Sequence, residues 1–214
     1  MNDPHPSNQL STQKAGPAAV QAALVVIDMQ RGMLDGTPKP INVDKVVDVI
    51  NHVAAAVRQA EGRVIHIQHH GSSDDAFTPR SPGWQFLPNI DIHPKDLIIP
   101  KKTCDAFYQT SLHATLKDLE IEHLIIGGWA TDFCVDTTIR AAASLNYAIT
   151  VIKEGHTLAD RTHLTASQII EHHHHTWHQL IVPGPSIRVI PSAALCKELE
   201  CQSSRQGDPH PLAL

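Results

Sequence analysis

Apolar positions along the chain fall into two alternating patterns. The first is a set of short unbroken runs: AALVVID (22–28), RVIHIQ (63–68), DLIIP (96–100), HLIIG (123–127), AITVIK (148–153) and IRVIP (187–191). Runs this short and rich in β-branched residues predict strands buried on both faces. The second pattern has helical spacing. Val43, Val46, Val47, Ile50, Val53 and Val57 recur on one side of a stretch that Asn42 can cap and Gly62 can end. Leu112, Leu116 and Leu119 follow Thr110 or Ser111, either of which can cap. Residues 132–146 place Val135, Ile139, Ala142 and Ala143 inward. HLTASQIIEHHHHTW (163–177) and SAALCKEL (192–199) read as two further helices. Strands alternating with helices predict an α/β fold whose parallel sheet is covered on both faces.

In such sheets ligands bind beyond the carboxyl ends of the strands, so the residues after each run are the first place to look for chemistry. The first run ends in Asp28, Met29 and Gln30, and the second in Gln68, His69 and His70. The third is followed by Lys101 and Lys102. After the fourth comes GGWATDFCVDTT, with Cys134 in the first turn of a helix that begins near Thr131. Free N–H groups and the helix dipole there favour a thiolate and can hold an oxyanion. A carboxylate, an ammonium and a thiol at one edge form a candidate acyl-transfer site. On pattern alone Asp28 serves equally as a cap, and a cysteine beside a strand end, as Cys134 is, is more often inert packing than a nucleophile.

Composition narrows the function classes. With 214 residues, the chain suits one domain with a sizeable core. A net charge of −5 with interspersed signs does not suit a nucleic-acid binder. The start, MNDPHPSNQLSTQKAGPAAVQ, lacks the pattern of a signal peptide, and no run approaches membrane-spanning length, so a cytoplasmic protein is expected. Cys104, Cys134, Cys196 and Cys201 have no zinc-ligand spacing and are read as free thiols. The expected organisation is a loose segment 1–20, a domain 21–200 and a loose tail 201–214.

Three segments, in order, resemble the isochorismatase-like hydrolase superfamily in its cysteine hydrolase branch. ALVVIDMQ resembles the strand that ends in the catalytic aspartate. IPKKTCDAFYQTSL resembles the segment in which a lysine precedes Ala-Phe and Thr-x-Leu; the lysine six residues before Phe107 is Lys101. GGWATDFCVDTTIRAA resembles the Gly-x-x-Thr-x-x-Cys-Val segment of the nucleophile. The resemblance spans about residues 22 to 195. It implies a three-layer α/β/α, Rossmann-like fold with a six-stranded parallel sheet. It implies an Asp28–Lys101–Cys134 triad, no metal or organic cofactor, and a cis peptide at Ala130–Thr131 that helps N–H groups near Ala130 and Cys134 face an oxyanion. It also implies a homo-oligomer, a dimer or tetramer, acting on a small molecule.

Keeping Cys134 favours hydrolysis of an amide, imide or ureide C–N bond over the vinyl-ether cleavage of the named isochorismatases. The alternatives are such an ether hydrolase and a non-catalytic binding protein on the same fold. HIQHHGSSDDAF does not match the metal-binding Asp-x-His pattern of nicotinamidases. Gln30, His69, Trp84, Phe107, Tyr108 and Trp129 are the substrate-side candidates. The run EHHHHTWH lies within a predicted helix, where adjacent side chains point in different directions, so at least one histidine is expected to pack.

Overall fold

A computed structural model describes residues 21–206. The expected loose segment 1–20 and residues 207–214 of the expected tail lie outside the described residues. Six strands, β1 (Ala22–Ile27), β2 (Arg63–His69), β3 (Leu97–Lys101), β4 (His123–Trp129), β5 (Ala148–Thr157) and β6 (Arg188–Ile190), form one sheet in the order β3-β2-β1-β4-β5-β6. Every pairing is parallel. The chain therefore starts in the middle of the sheet, builds outward to β3, then crosses back to β4 and builds the other half.

The side-chain alternation of β1 separates two cores. Ala23, Val25 and Ile27 face a cluster with Leu112, Leu116, Val135, Ile139 and Trp177. Ala22, Leu24 and Val26 face a cluster with Val46, Ile50, Val53, Val57, Leu195 and Leu199. Helices α1 (Val43–Gln59) and α5 (Ser192–Gln206) thus cover one face. Helices α2 (Leu112–Asp118), α3 (Asp136–Ser144) and α4 (Ala166–Gln179) cover the other, giving the expected three layers. Strands sandwiched in this way are apolar throughout, which is why they read as unbroken runs.

Several local expectations change. Asn42 is the N-cap of α1 but adopts a left-handed φ of 52° and makes no side-chain cap bond. The left-handed residue after α1 is Glu61 (φ 58°), not Gly62. Gly62 is instead a close-approach position, since a Cβ there would lie 2.7 Å from Ala22 O and 2.8 Å from Val57 Cγ1. Helix α5 docks on the α1 side of the sheet through Leu195, Cys196 and Leu199 and continues to Gln206, past the expected domain end at 200, where Ser203 Oγ donates to Gln59 O at 3.1 Å. Strand β5 runs four residues beyond the apolar AITVIK, after a register shift opposite Ile126–Gly128. Helix α4 starts with a full capping box between Thr165 and Gln168.

One polar cluster ties the long 71–96 segment to the body. The buried Asp96 carboxylate accepts from Arg58 Nη2 at 2.5 Å and from the His93 amide at 2.9 Å, and lies 3.2 Å from His66 Nε2. These contacts hold Asp96 below the ordinary carboxylate range although burial alone would raise it. Replacing Asp96 with alanine leaves Arg58 its contacts with Asp91 (2.8 Å to Oδ2, 3.0 Å to O) but strands the buried His66 Nε2 and the His93 amide. The expected loss is roughly 1–3 kcal/mol, read as a lower urea midpoint at unchanged slope. A shift within error of zero would mean that this cluster does not hold the segment.

Candidate active site

The three predicted catalytic side chains come from three different strand ends and meet. Asp28 directly follows β1 with φ 50°, a left-handed conformation that Asp tolerates better than most residues. Its amide still donates to Ile67 O at 3.1 Å, so the ladder with β2 continues up to the site. Lys101 is the last residue of β3, with β2 standing between it and β1. Neighbouring strands are about 4.8 Å apart, so roughly 10 Å separates the two backbones. The long lysine stem carries the ammonium over the end of β2. There Nζ lies 2.5 Å from Asp28 Oδ2 and donates to Thr103 O at 2.9 Å and to Cys134 Sγ at 3.2 Å. The contact with Asp28 is one of charge and proximity, because no donor is aligned as a hydrogen bond on either carboxylate oxygen.

Cys134 is delivered by the turn after β4. That turn, Thr131–Val135, is wound as a π-helical turn ahead of α3. The Ala130 carbonyl accepts from the amides of Phe133 (3.0 Å) and Val135 (3.1 Å) and passes over the Cys134 amide between them. The non-proline cis peptide is Trp129–Ala130, one residue earlier than the expected Ala130–Thr131. Ala130 is the extended N-cap (φ −97°, ψ 145°), leading straight into Thr131 as the first residue of the turn. The glycine pair has a packing cause. A Cβ on Gly128 (φ 131°) would lie 2.1 Å from Ile27 O, and one on Gly127 would lie 2.5 Å from Gly155 O.

Burial sets the electrostatics. Asp28 is 1% exposed, Lys101 2% and Cys134 8%. Burial pushes the Asp28 carboxyl up, with the Lys101 charge opposing it only in part. Burial would pull Lys101 down, but Asp28 and Cys134 outweigh it and the ammonium is held above its ordinary value. Burial and the Asp28 charge push the Cys134 thiol up, against the pull of Lys101. Burial thus works against the ionised forms of Asp28 and Cys134, while their proximity keeps the Lys101 ammonium charged.

The family model for the isochorismatase domain matches residues 22–176, which contain all three side chains. The chain belongs to the isochorismatase family. A streptothricin hydrolase of Streptomyces noursei is 27% identical over 138 residues, covering 64% of this chain and 50% of that protein. The ureidoacrylate amidohydrolase RutB of Cronobacter turicensis is 29% identical over 173 residues, covering 64% of this chain and 75% of its own length. The chain thus spans about half the length of the streptothricin hydrolase it matches. Among solved structures, an isochorismatase family protein superposes with a TM-score of 0.72 at 34% identity, over 79% of this chain and 97% of its own. An isochorismatase from Pseudomonas putida does so at 0.74 and 28%, over 84% and 93%.

Around the triad of this isochorismatase-family chain, the other predicted residues divide. Gln30 donates both amide hydrogens to backbone, to His69 O (3.1 Å) and Trp84 O (2.7 Å), and accepts from the His69 amide (2.7 Å). It is a tie between strand ends and the 81–86 loop, with no donor left for a substrate. Phe107 also leaves the substrate side: it stacks on Tyr147 at 5.8 Å and packs against the core under α2 and α3. Tyr108 is 55% exposed. His69 neighbours the charges of Asp28 and Lys101, and its Nδ1 is buried with no partner. Trp84 packs edge-on to His70 at 5.5 Å, with its Nε1 likewise buried and unpartnered. Trp129 leans on Phe77 at 5.7 Å, and Phe77 on His69 at 5.6 Å, so an aromatic belt links the Cys134 turn to the end of β2.

Sequence reasoning passed over three neighbours. Asp132 forms a two-pronged pair with Arg161, at 2.8 Å on both arms, and the guanidinium lies 4.8 Å from the centre of the exposed Phe133 ring. His156 sits under Thr131. His156 carries the same signal as Asp28, an ionisable residue at a strand end, but it was hidden because β5 extends past its apolar run. Trp129 and Arg161 also line a cavity of about 260 Å³ with Met33 and Pro38. A larger groove of about 850 Å³ lies away from the triad, between α1 and α4. In the histidine run His173 Nδ1 lies 2.8 Å from Ile169 O, and His174 pairs with His156, while His172 and His175 are exposed. Among the described residues, no group of three or more His, Cys, Asp or Glu side chains is arranged to hold a metal ion.

Proposed function

We propose that this chain is a cysteine-dependent hydrolase of a C–N bond in a small non-peptide molecule, an amide, imide or ureide, acting through a thioester. The observation that carries the reading is the junction at Lys101 Nζ, 2.5 Å from Asp28 and 3.2 Å from Cys134 Sγ, at the mouth of a helical turn. The relatives named amidohydrolase and streptothricin hydrolase support the choice of bond. Asp28 takes the thiol proton as sulfur attacks the carbonyl carbon, and Lys101 stabilises the anionic charge on the pair. The tetrahedral oxyanion is held by backbone N–H groups at the turn, with the Cys134 amide the leading donor. Asp28 passes its proton to the leaving nitrogen. It then takes a proton from water, which adds to the thioester and releases the acid and the free thiol. A thiol whose resting pKa is high loses its proton during attack rather than before it, which makes the nearby base indispensable.

The test is a screen of small amides, imides and ureides, following ammonia or amine release, with wild type and Cys134→Ala in parallel. Turnover by wild type alone supports the reading, and equal turnover by both proteins would sink it. The pH dependence is a second check. Because burial raises Asp28, its protonation on acidification begins above the ordinary carboxylate range. The protonated form cannot accept the thiol proton, so kcat/KM falls as pH falls, with a midpoint above about 4. Lys101 is held up, so no loss from its deprotonation is expected below about pH 10. A flat kcat/KM down to pH 4 would exclude Asp28 as the base.

A further inference from the structure

His156 and His174 lie outside the triad, yet they join it to the far groove. His156 stands opposite Gly128 in the β4–β5 ladder, beneath the turn that carries Cys134. Its Nδ1 lies 2.9 Å from Thr131 Oγ1, and its Nε2 lies 2.9 Å from His174 Nε2. Thr131 and His156 are buried, whereas His174 is half-buried on α4 and borders the groove.

Protonation states follow from the partners. Burial pushes His156 down to about 3, so its ring is neutral and has one donor and one acceptor. Of the two facing Nε2 atoms one donates and the other accepts, and His156 Nδ1 pairs with the Thr131 hydroxyl, which can give or take the hydrogen. The bonds run in series from the first residue of the nucleophile turn, through His156, to His174 on α4.

We infer that His156 and His174 are positioning residues for Cys134: by holding the Thr131 hydroxyl they fix the turn that sets the cysteine sulfur against Lys101. This rests on Cys134 being the nucleophile. Helix α4 has a further anchor in the Trp177 Nε1–H donated to Asp136 Oδ1 at 2.7 Å. Both imidazoles also pack against the Trp177 ring, His156 at 5.2 Å and His174 at 6.2 Å, so the leucine of His156→Leu is chosen to keep an apolar contact there.

A double-mutant cycle on Cys134 reactivity tests this without a known substrate. The probe is iodoacetamide at pH 8, with alkylation of the Cys134 peptide followed by mass spectrometry and the exposed Cys104 and Cys201 serving as references. Thr131→Val and His156→Leu are each expected to slow Cys134 labelling about tenfold, and the double variant no further. Thr131→Ser, which keeps the hydroxyl, stays within about twofold of wild type. Slowing of about a hundredfold in the double variant, or singles that label at or above the wild-type rate, overturns the inference. If His156→Leu does not fold, His174→Gln replaces it in the same cycle with the same reading. Hydrolysis retained by Cys134→Ala would instead bring down the nucleophile assignment. An inactive Cys134→Ala together with an additive cycle would overturn the positioning role alone.

Discussion

Under the proposed thioester mechanism, Cys134→Ala is expected to lower kcat/KM on a C–N substrate by at least ~10⁴-fold while the protein stays folded. The magnitude follows from removing the atom that forms the covalent intermediate, since the remaining oxyanion donors and binding contacts account for only the residual rate. Of the other thiols, Cys196 is buried on the α1 side of the sheet and Cys201 is exposed, while the exposed Cys104 lies near enough to Cys134 to push its thiol up. Trimming one sulfur from a site that is already 8% open costs little stability, about 1 kcal/mol. Cys134→Ser is the more discriminating variant. Its hydroxyl is far harder to ionise than a thiol, and the shared base and cation do not make up the difference, so a loss of ~10²-fold or more is expected. A Ser variant with full activity would transfer the chemistry to Asp28 and Lys101 and make the reaction one without a covalent intermediate.

Lys101→Met carries the second large effect, and it acts on both stability and rate. Lys101 is among the largest fully buried side chains, and its ammonium is the only cation paired with Asp28 among the described residues. Removing one partner of a buried pair costs about 3–5 kcal/mol when the other must keep its charge. Asp28 has a way out, because burial already raises it. In the variant the opposing Lys101 charge is gone and burial favours the protonated carboxyl further, which limits the loss of stability but removes the base. The expected result is a drop in kcat/KM of ~10³-fold together with a lowered urea midpoint. Adding Asp28→Asn should restore part of the stability and none of the activity, a split that separates the cost of the stranded charge from the loss of chemistry. Activity within tenfold of wild type in Lys101→Met would remove the lysine from the mechanism.

The chain displayed its sheet openly because strands covered on both faces have no polar side to interrupt them, as in AALVVI and HLIIG. The triad was legible for the complementary reason: an ionisable residue at the end of such a run stands out. Legibility failed where backbone detail governs. Nothing in the residue types distinguishes a cis bond at Trp129–Ala130 from one a residue later. The bulge opposite Ile126–Gly128 lets β5 continue through EGHT, where polarity suggests a loop, so His156 looked like a loop residue. Gln30 and Phe107 were misplaced because their neighbours are distant in sequence: Gln30 meets Trp84, 54 residues away, and Phe107 meets Tyr147. Asn42 shows that a favoured cap residue can occupy the cap position without making the cap bond.

The contact between Gly128 and Ile27 has a consequence for anyone reshaping selectivity. The two strands that bear the aspartate and the cysteine approach so closely there that even a methyl group would strike backbone on the opposite strand. Random libraries across 127–128 should therefore return mostly unfolded clones. The edge on which the aspartate and the cysteine meet works as a fixed anvil.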